Sequence, residues 1–402
     1  MNSTSHRSLS ASARCCPVCD SANFRPLRQH EFAPISGDLG AVGYTVGVCQ
    51  DCGCAYASGI PTQAQFDRYY AEQSKYQTHV GDHASDYDVI RFRTIAGHLV
   101  EYGLMATSSV LDIGCATGGF LAELRSLGIQ TLTGIDPSER CARIAQEQHG
   151  LDVRWGTIDS LIQEGKAFDV ITLIGVLEHV RDARELLAKA RALLRPDGFI
   201  YVASPDVESF QRCRNAPFQQ FSTEHINFFS EASLKNLGTG AGLQGCSSRR
   251  WITQWSASIL DSVVSVKYIT AHHASEVEPE RASERALQAY ISDCEEQVEL
   301  LRQRLSTLGC CRVPLIVWGA GSNTRFLLNI GVFRDLNIVA FVDVNPYLQG
   351  RILHEIPIVS PTEIRSRREK ILICSKAFEL DIKATIEKLN LGNEVIALYN
   401  AG

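Results

Sequence analysis

The stretch Val110-Leu-Asp-Ile-Gly-Cys-Ala-Thr-Gly-Gly-Phe-Leu-Ala-Glu-Leu124 constrains the fold of this chain more than any other. An apolar run enters a glycine-bearing turn at Asp112, and a helical pattern leaves it. Gly114, Gly118 and Gly119 let backbone approach a ligand closely, and the helix start offers free N–H groups and a positive dipole end. The next apolar run, Thr131-Leu-Thr-Gly-Ile-Asp136, ends in an acid that can accept both hydroxyls of a ribose. Strand, glycine turn, helix and acid-tipped strand together predict an α/β fold built on a wound parallel sheet.

Such a unit can serve a dinucleotide or S-adenosylmethionine. Ala116 stands where close approach of a pyrophosphate calls for a second glycine, which favours the phosphate-free ligand. Asp112 can hold that ligand's ammonium group, and the helix start its carboxylate. Further segments follow in order: Gly156-Thr-Ile-Asp159, Phe168-Asp-Val-Ile-Thr-Leu-Ile-Gly-Val-Leu-Glu-His-Val180 and Leu194-Arg-Pro-Asp-Gly-Phe-Ile-Tyr-Val-Ala-Ser204. Over roughly residues 90–250 this pattern resembles the class I S-adenosylmethionine-dependent methyltransferases. The resemblance implies cofactor contacts from Asp112, Gly114, Gly118, Asp136, Ile158 and Asp159, with Asp159 near the adenine amine.

Upstream, Cys16-Pro-Val-Cys19 and Cys49-Gln-Asp-Cys52 form two C-x2-C knuckles. Each knuckle turns two thiolates toward one point, and a pair of knuckles supplies the tetrahedral four-sulfur shell that zinc prefers. A closed shell of this kind is structural and leaves no position open for catalysis. Neighbouring Cys15 and Cys54 leave the choice of ligands open on spacing alone. Of the 14 cysteines the rest are scattered. The Ser-rich start lacks an apolar signal core, so reduced thiols and a cytoplasmic setting are expected.

Two Glu-His pairs carry the candidate chemistry, Glu178-His179 at the edge of the fourth strand and Glu224-His225 in the insertion after the fifth. Methyl transfer is an in-line displacement, and an acceptor that is not already an anion must lose a proton. Histidine titrates near neutrality and suits that task. His225 is the expected general base, with Glu224 as its orienting acid. The mixed segment from Tyr69 to His79 reads as a lid, a substrate-facing loop or a linker.

The C-terminal third opens with a charged amphipathic helix, from about Glu276 to Leu308. A second strand–glycine turn–helix follows, Val313-Pro-Leu-Ile-Val-Trp-Gly-Ala-Gly-Ser-Asn-Thr-Arg325, and then a second acid-tipped strand ending at Asp343. Cysteine-paired module, methyltransferase core and nucleotide-type C-terminal domain together resemble the sugar C-methyltransferases, which act on nucleotide-linked 4-keto-deoxy sugars. That resemblance implies a C-terminal domain forming one wall of the sugar-nucleotide cleft. The family's Tyr-His-Glu-His motif stands here as Ser222-Thr223-Glu224-His225, and Tyr76 is the candidate for the missing phenol. The methylated atom is left open between carbon, oxygen and nitrogen.

The expected organisation is a disordered tail over 1–14, a zinc module with a substrate-facing loop over 15–85 and a methyltransferase core over 86–255. A helical connector over 256–310 and a Rossmann-like domain over 311–402 complete it. A net charge of −6 argues against nucleic acid as the main partner, and no run reaches the roughly 20 apolar residues of a membrane span. A monomer or homodimer acting on a nucleotide sugar is expected. An O- or N-methyltransferase of other small molecules, and a non-catalytic nucleotide-binding protein, are the alternatives.

Overall fold

The computed structural model describes residues 14–37, 42–73, 86–213, 215–256, 259–271, 276–309 and 313–399. The N-terminal module contributes β1 (Phe24–Glu31), β2 (Gly43–Cys49) and β3 (Ala55–Ser58), followed by α1 (Gln63–Gln73). The central domain begins with α2 (Asp86–Glu101) and alternates through β4 (Ser109–Ile113), α3 (Gly119–Ser126), β5 (Thr131–Asp136) and α4 (Glu139–His149). It continues with β6 (Asp152–Trp155), α5 (Ile158–Gln163), β7 (Phe168–Ile174), α6 (Ala183–Ala192) and β8 (Leu194–Pro205). After an insertion come β9 (Asn227–Phe228), α7 (Glu231–Gly240), β10 (Leu243–Ser256) and β11 (Ile259–Thr270). The long α8 (Ala282–Gly309) leads to β12 (Pro314–Trp318), α9 (Ser322–Asn329), β13 (Asn337–Val342), β14 (Ile352–Leu353) and β15 (Ile356–Val359). Strand β16 (Lys370–Ile373), α10 (Glu379–Lys388) and β17 (Val395–Ala397) close the chain.

The central sheet runs β10-β11-β8-β7-β4-β5-β6. Its strands from β8 to β6 are parallel, and the β10–β11 hairpin adds antiparallel to β8. Strand β4 is buried along its whole length because helices cover both faces of the sheet. The C-terminal sheet, β14-β15-β13-β12-β16-β17, is likewise parallel except at β14. Both α/β units agree with the fold class read from the glycine turns.

Two expectations are corrected. The 256–310 segment is not a helical connector throughout, since Ile259–Thr270 is a strand of the central sheet and only Ala282–Gly309 is helical. Ser262 to Val266 are buried without a break, with Val264, Val266 and Tyr268 in one core and Val263 in another, as a strand covered on both faces requires. The 1–14 tail also ends too late: Arg14 is part-buried and makes four hydrogen bonds.

The N-terminal sheet joins the other parts. Strand β9, from the insertion of the central domain, pairs with β3, so the order is β1-β2-β3-β9. One face of this sheet (Tyr44, Val46, Val48, Ala57) shares a core with Phe218, Phe221, Tyr290 and the C-terminal Phe326. The other face, through Tyr56 and the cysteine knuckles, shares a core with Leu173, Leu187 and Ile200 of the central domain. Burial on both faces fixes the insertion, and with it the Glu224-His225 pair, against the central domain.

Candidate functional site

The turn after β4 is held from below by Asp136. Its Oδ2 accepts the Ala116 N–H and its Oδ1 the Ser138 N–H, both at 2.8 Å. Ala116 sits at φ +46, an uncommon conformation for a residue with a side chain, and this carboxylate contact secures it. Gly114 has φ +71, and a Cβ there would lie 2.7 Å from a Val176 methyl. Gly118 serves packing as well, since its Cβ would meet Leu151 at 2.8 Å and Ala145 at 3.0 Å. Asp112 is buried and accepts a 2.6 Å hydrogen bond from Thr172 Oγ1. Burial, with Asp136 nearby, raises its pKa to about 7.

Ile158 is buried in the core, so only its backbone remains to face a ligand. Asp159 is directed to Lys189 Nζ at 2.9 Å, and this contact holds its carboxylate below the usual range. The structure therefore brings Asp112, Gly114 and Asp136 together and gives Asp159 an ion-pair partner on α6.

Beside this crevice, a short 3-10 turn carries Glu178 and His179. Glu178 is buried, accepts from Ser204 Oγ at 3.2 Å, and has its pKa raised by burial. The His179 Nδ1–H donates to the Glu224 carbonyl at 3.2 Å, and the His179 and His225 rings meet edge to face at 4.8 Å. Ser222 Oγ accepts the N–H groups of Glu224 (3.3 Å) and His225 (3.1 Å), so this serine shapes the turn that carries the pair. Glu178, His179 and His225 offer ligand atoms within 4.8 Å of one another, a set of donor types that can hold a divalent cation.

Tyr76 lies outside the described residues. The phenol brought to the pair is Tyr69, whose hydroxyl donates to Glu224 Oε1 at 2.6 Å. Arg91 of α2 was not foreseen either. Its charge acts on Asp112, Glu178 and Asp261, and its Nε has no hydrogen-bond partner among the described residues. A basic residue on a helix face turned toward several acids was the available signal, but it needs the fold to be seen.

The sulfurs of Cys16, Cys19, Cys49 and Cys52 lie within 4.8 Å of one another, with Cys16–Cys52 and Cys19–Cys49 each at 3.5 Å. A tetrahedral zinc with Zn–S of about 2.3 Å places its sulfurs at about this separation. Cys15 is exposed, and Cys54 points its thiol at the Ala55 carbonyl. Gly53, at φ +85, is required because a Cβ would fall 1.9 Å from the Glu280 carbonyl oxygen.

In the C-terminal domain Asp343 repeats the role of Asp136, accepting from Ala320 N (2.8 Å) and Asn345 N (2.9 Å). The adjoining turn faces the insertion: Asn323 Nδ2 donates to the Pro217 carbonyl and Lys376 Nζ to the Asn215 carbonyl, both at 3.2 Å.

Residues 87–248 match a family described as a methyltransferase domain, and residues 313–397 one described as C2185-like, N-terminal. The chain is 38% identical over 105 residues to a ubiquinone biosynthesis O-methyltransferase of Actinobacillus pleuropneumoniae serotype 5b (strain L20), covering 24% of this chain and 44% of that protein. It is 43% identical over 183 residues to a protein of the same name from Roseobacter denitrificans, covering 40% of this chain and 71% of that one. The chain thus spans less than half the length of the former relative and over two thirds of the latter. Among solved structures, magnesium protoporphyrin IX methyltransferase from Synechocystis PCC 6803 with bound S-adenosylmethionine aligns at a TM-score of 0.38 and 15% identity, over 52% of this chain and 96% of that one.

Proposed function

Because this chain belongs to the class I S-adenosylmethionine-dependent methyltransferases, we propose that it transfers the methyl group of that cofactor to a small molecule held between the central domain and the insertion. S-adenosylmethionine, when bound, supplies the electrophilic methyl. Asp112, Gly114 and Asp136 are the groups suited to seat it. A carboxylate facing the ammonium and an acid facing the ribose are what a sulfonium donor without phosphates requires.

The observation that carries the acceptor side is the His179–His225 contact beside Glu178 and Glu224. His225 takes the proton from the acceptor. His179 donates through Nδ1 to the Glu224 carbonyl, which fixes the orientation of its ring beside His225. Tyr69 donates its phenolic proton to Glu224, and its oxygen can accept a hydrogen bond from a hydroxyl of the acceptor. The finer reading is a nucleotide-activated sugar as acceptor. Two features support it: Tyr69 brings to Glu224 a phenol that the motif lacks at Ser222, and a second glycine turn with its tethered Asp343 faces the insertion. The relatives, named as ubiquinone biosynthesis O-methyltransferases, favour methylation of oxygen in a different small molecule, and this is the second reading. The four thiolates are proposed to hold one structural zinc.

Incubation with methyl-labelled cofactor and a panel of acceptors, followed by mass analysis, tests both readings. Label in a sugar nucleotide supports the first. Label only in phenolic or other non-nucleotide hydroxyl compounds supports the second. Exchange of the proton beside a ketone would assign carbon as the methylated atom.

A further inference from the structure

The two histidines come from segments far apart in sequence, and a third segment is tied to both. The Arg14 guanidinium donates through Nη1 to the Arg181 carbonyl at 2.8 Å, two residues past His179. Through Nη2 it donates to the Ile226 carbonyl at 2.7 Å, next to His225, and to Asn227 Oδ1 at 2.5 Å. Through Nε it donates to the Ala57 carbonyl of β3 at 2.9 Å, and its face lies 5.3 Å from the Tyr56 ring. Asn227, so oriented, donates through Nδ2 to the Leu177 and Val180 carbonyls, both at 2.7 Å. Ile226 N–H donates to the Glu178 carbonyl at 2.8 Å. The carbonyls of Leu177, Glu178, Val180 and Arg181 are thereby stitched to Ile226 and Asn227 just after His225, and Arg14 sits at the centre of the seam.

We propose that Arg14 is a positioning residue that couples the four-cysteine module to the histidine pair. Arg14 lies two residues before Cys16, so the knuckle that fixes Cys16 also fixes where the guanidinium enters the seam. The planar fork meets three carbonyls and an amide oxygen at once, a task an ammonium cannot reproduce. The module then does more than stabilise: it sets the register between the two imidazoles. The proposal rests on the reading of His179 and His225 as the acceptor-side groups, but its test does not depend on turnover.

The test uses full-length protein labelled with ¹⁵N at histidine. The His179 and His225 ring signals are identified by their loss in the His179→Gln and His225→Gln variants. In Arg14→Ala both signals are expected to shift, while those of the distant His98 and His149 stay in place. Binding of S-adenosylhomocysteine, whose cup lies around Asp112 and Asp136, is expected to stay unchanged. Millimolar guanidinium added to Arg14→Ala is expected to move the two signals back toward wild type. Should Arg14→Ala fail to fold, Arg14→Lys keeps the charge and loses the fork, and the same shifts are expected there. If the signals of a folded variant do not move, or if His98 and His149 move equally, the proposal is overturned. On an acceptor found in the panel above, Arg14→Lys is expected to lose turnover on the order of a hundredfold, the scale of a small misplacement of reacting groups. If the rings shift and turnover does not fall, the coupling stands and the assignment of the histidines to catalysis fails.

Discussion

The His179 and His225 rings meet edge to face at a centroid separation of 4.8 Å, although one ring follows β7 and the other precedes β9. The contact brings two imidazoles from separate segments together beside Glu178 and Glu224. His225→Ala is expected to lower turnover by a factor on the order of 10²–10⁴, the usual contribution of a general base. Cofactor affinity should be untouched. Calorimetry with S-adenosylhomocysteine beside a turnover assay checks both, and unchanged turnover would remove His225 from the mechanism.

Cofactor affinity is expected to depend on pH through Asp112. Burial raises its pKa from the ordinary 3.8 to about 7, so below neutrality the empty site holds a protonated, neutral acid. Engagement of an ammonium requires the carboxylate, and binding at lower pH must first expel a proton. Affinity should therefore rise with pH up to about 7 and level off above it, with up to tenfold lost per pH unit on the acid side. For the empty protein the sign is opposite: a raised folded pKa favours folding most below pH 3.8 and loses that contribution as pH rises through 7. Titration calorimetry between pH 5.5 and 8.5 checks the slope, which should vanish in Asp112→Asn.

The cysteine module should carry one zinc per chain. Its knuckles share a core with the central sheet, so removal of metal is expected to destabilise the whole chain rather than one end. A drop in Tm on the order of 10 °C corresponds to a few kcal/mol in a domain of this size. Metal analysis and melting with and without a chelator test this. Cys49→Ser should match the chelated protein, whereas Cys15→Ser, at an exposed thiol, should melt as wild type.

How much of this was legible in the sequence depends on the distance over which each feature is encoded. The Asp112–Gly118 turn, Asp136 and the two knuckles are local spacings and could be read directly. Both Glu-His pairs were visible as well, but their meeting was not, because it depends on β9 pairing with β3. Tyr69, Arg14 and Arg91 were missed for the same reason: each acts through partners remote in the chain. The strand Ile259–Thr270 is a different case. Its alternating Val264, Val266 and Tyr268 were in plain view but were absorbed into an adjoining helical pattern.

His30 offers a test of the junction between the modules. Its ring stacks on Phe326 at 4.4 Å and is enclosed by Phe32, Tyr44, Phe218 and Phe221. Burial, aided by the Arg28 charge, pushes its pKa down to about 3. The unfolded chain takes up a proton near pH 6.5 that the folded chain refuses, so stability falls as pH drops from 6.5 toward 3. By pH 4.5 the loss amounts to about 2–3 kcal/mol. Urea melts of wild type and His30→Phe across this range check it. The variant should lose less stability on acidification than wild type, and parallel losses would show that His30 is not the sensor.

The central claim is that the cup formed by Asp112, Gly114 and Asp136 seats a sulfonium donor. Titration of the full-length protein with S-adenosylmethionine in a calorimeter addresses it most directly. One molecule bound per chain is predicted, with the heat abolished in Asp136→Ala. An absence of heat with this donor, together with binding of a dinucleotide at the same cup, would contradict the account.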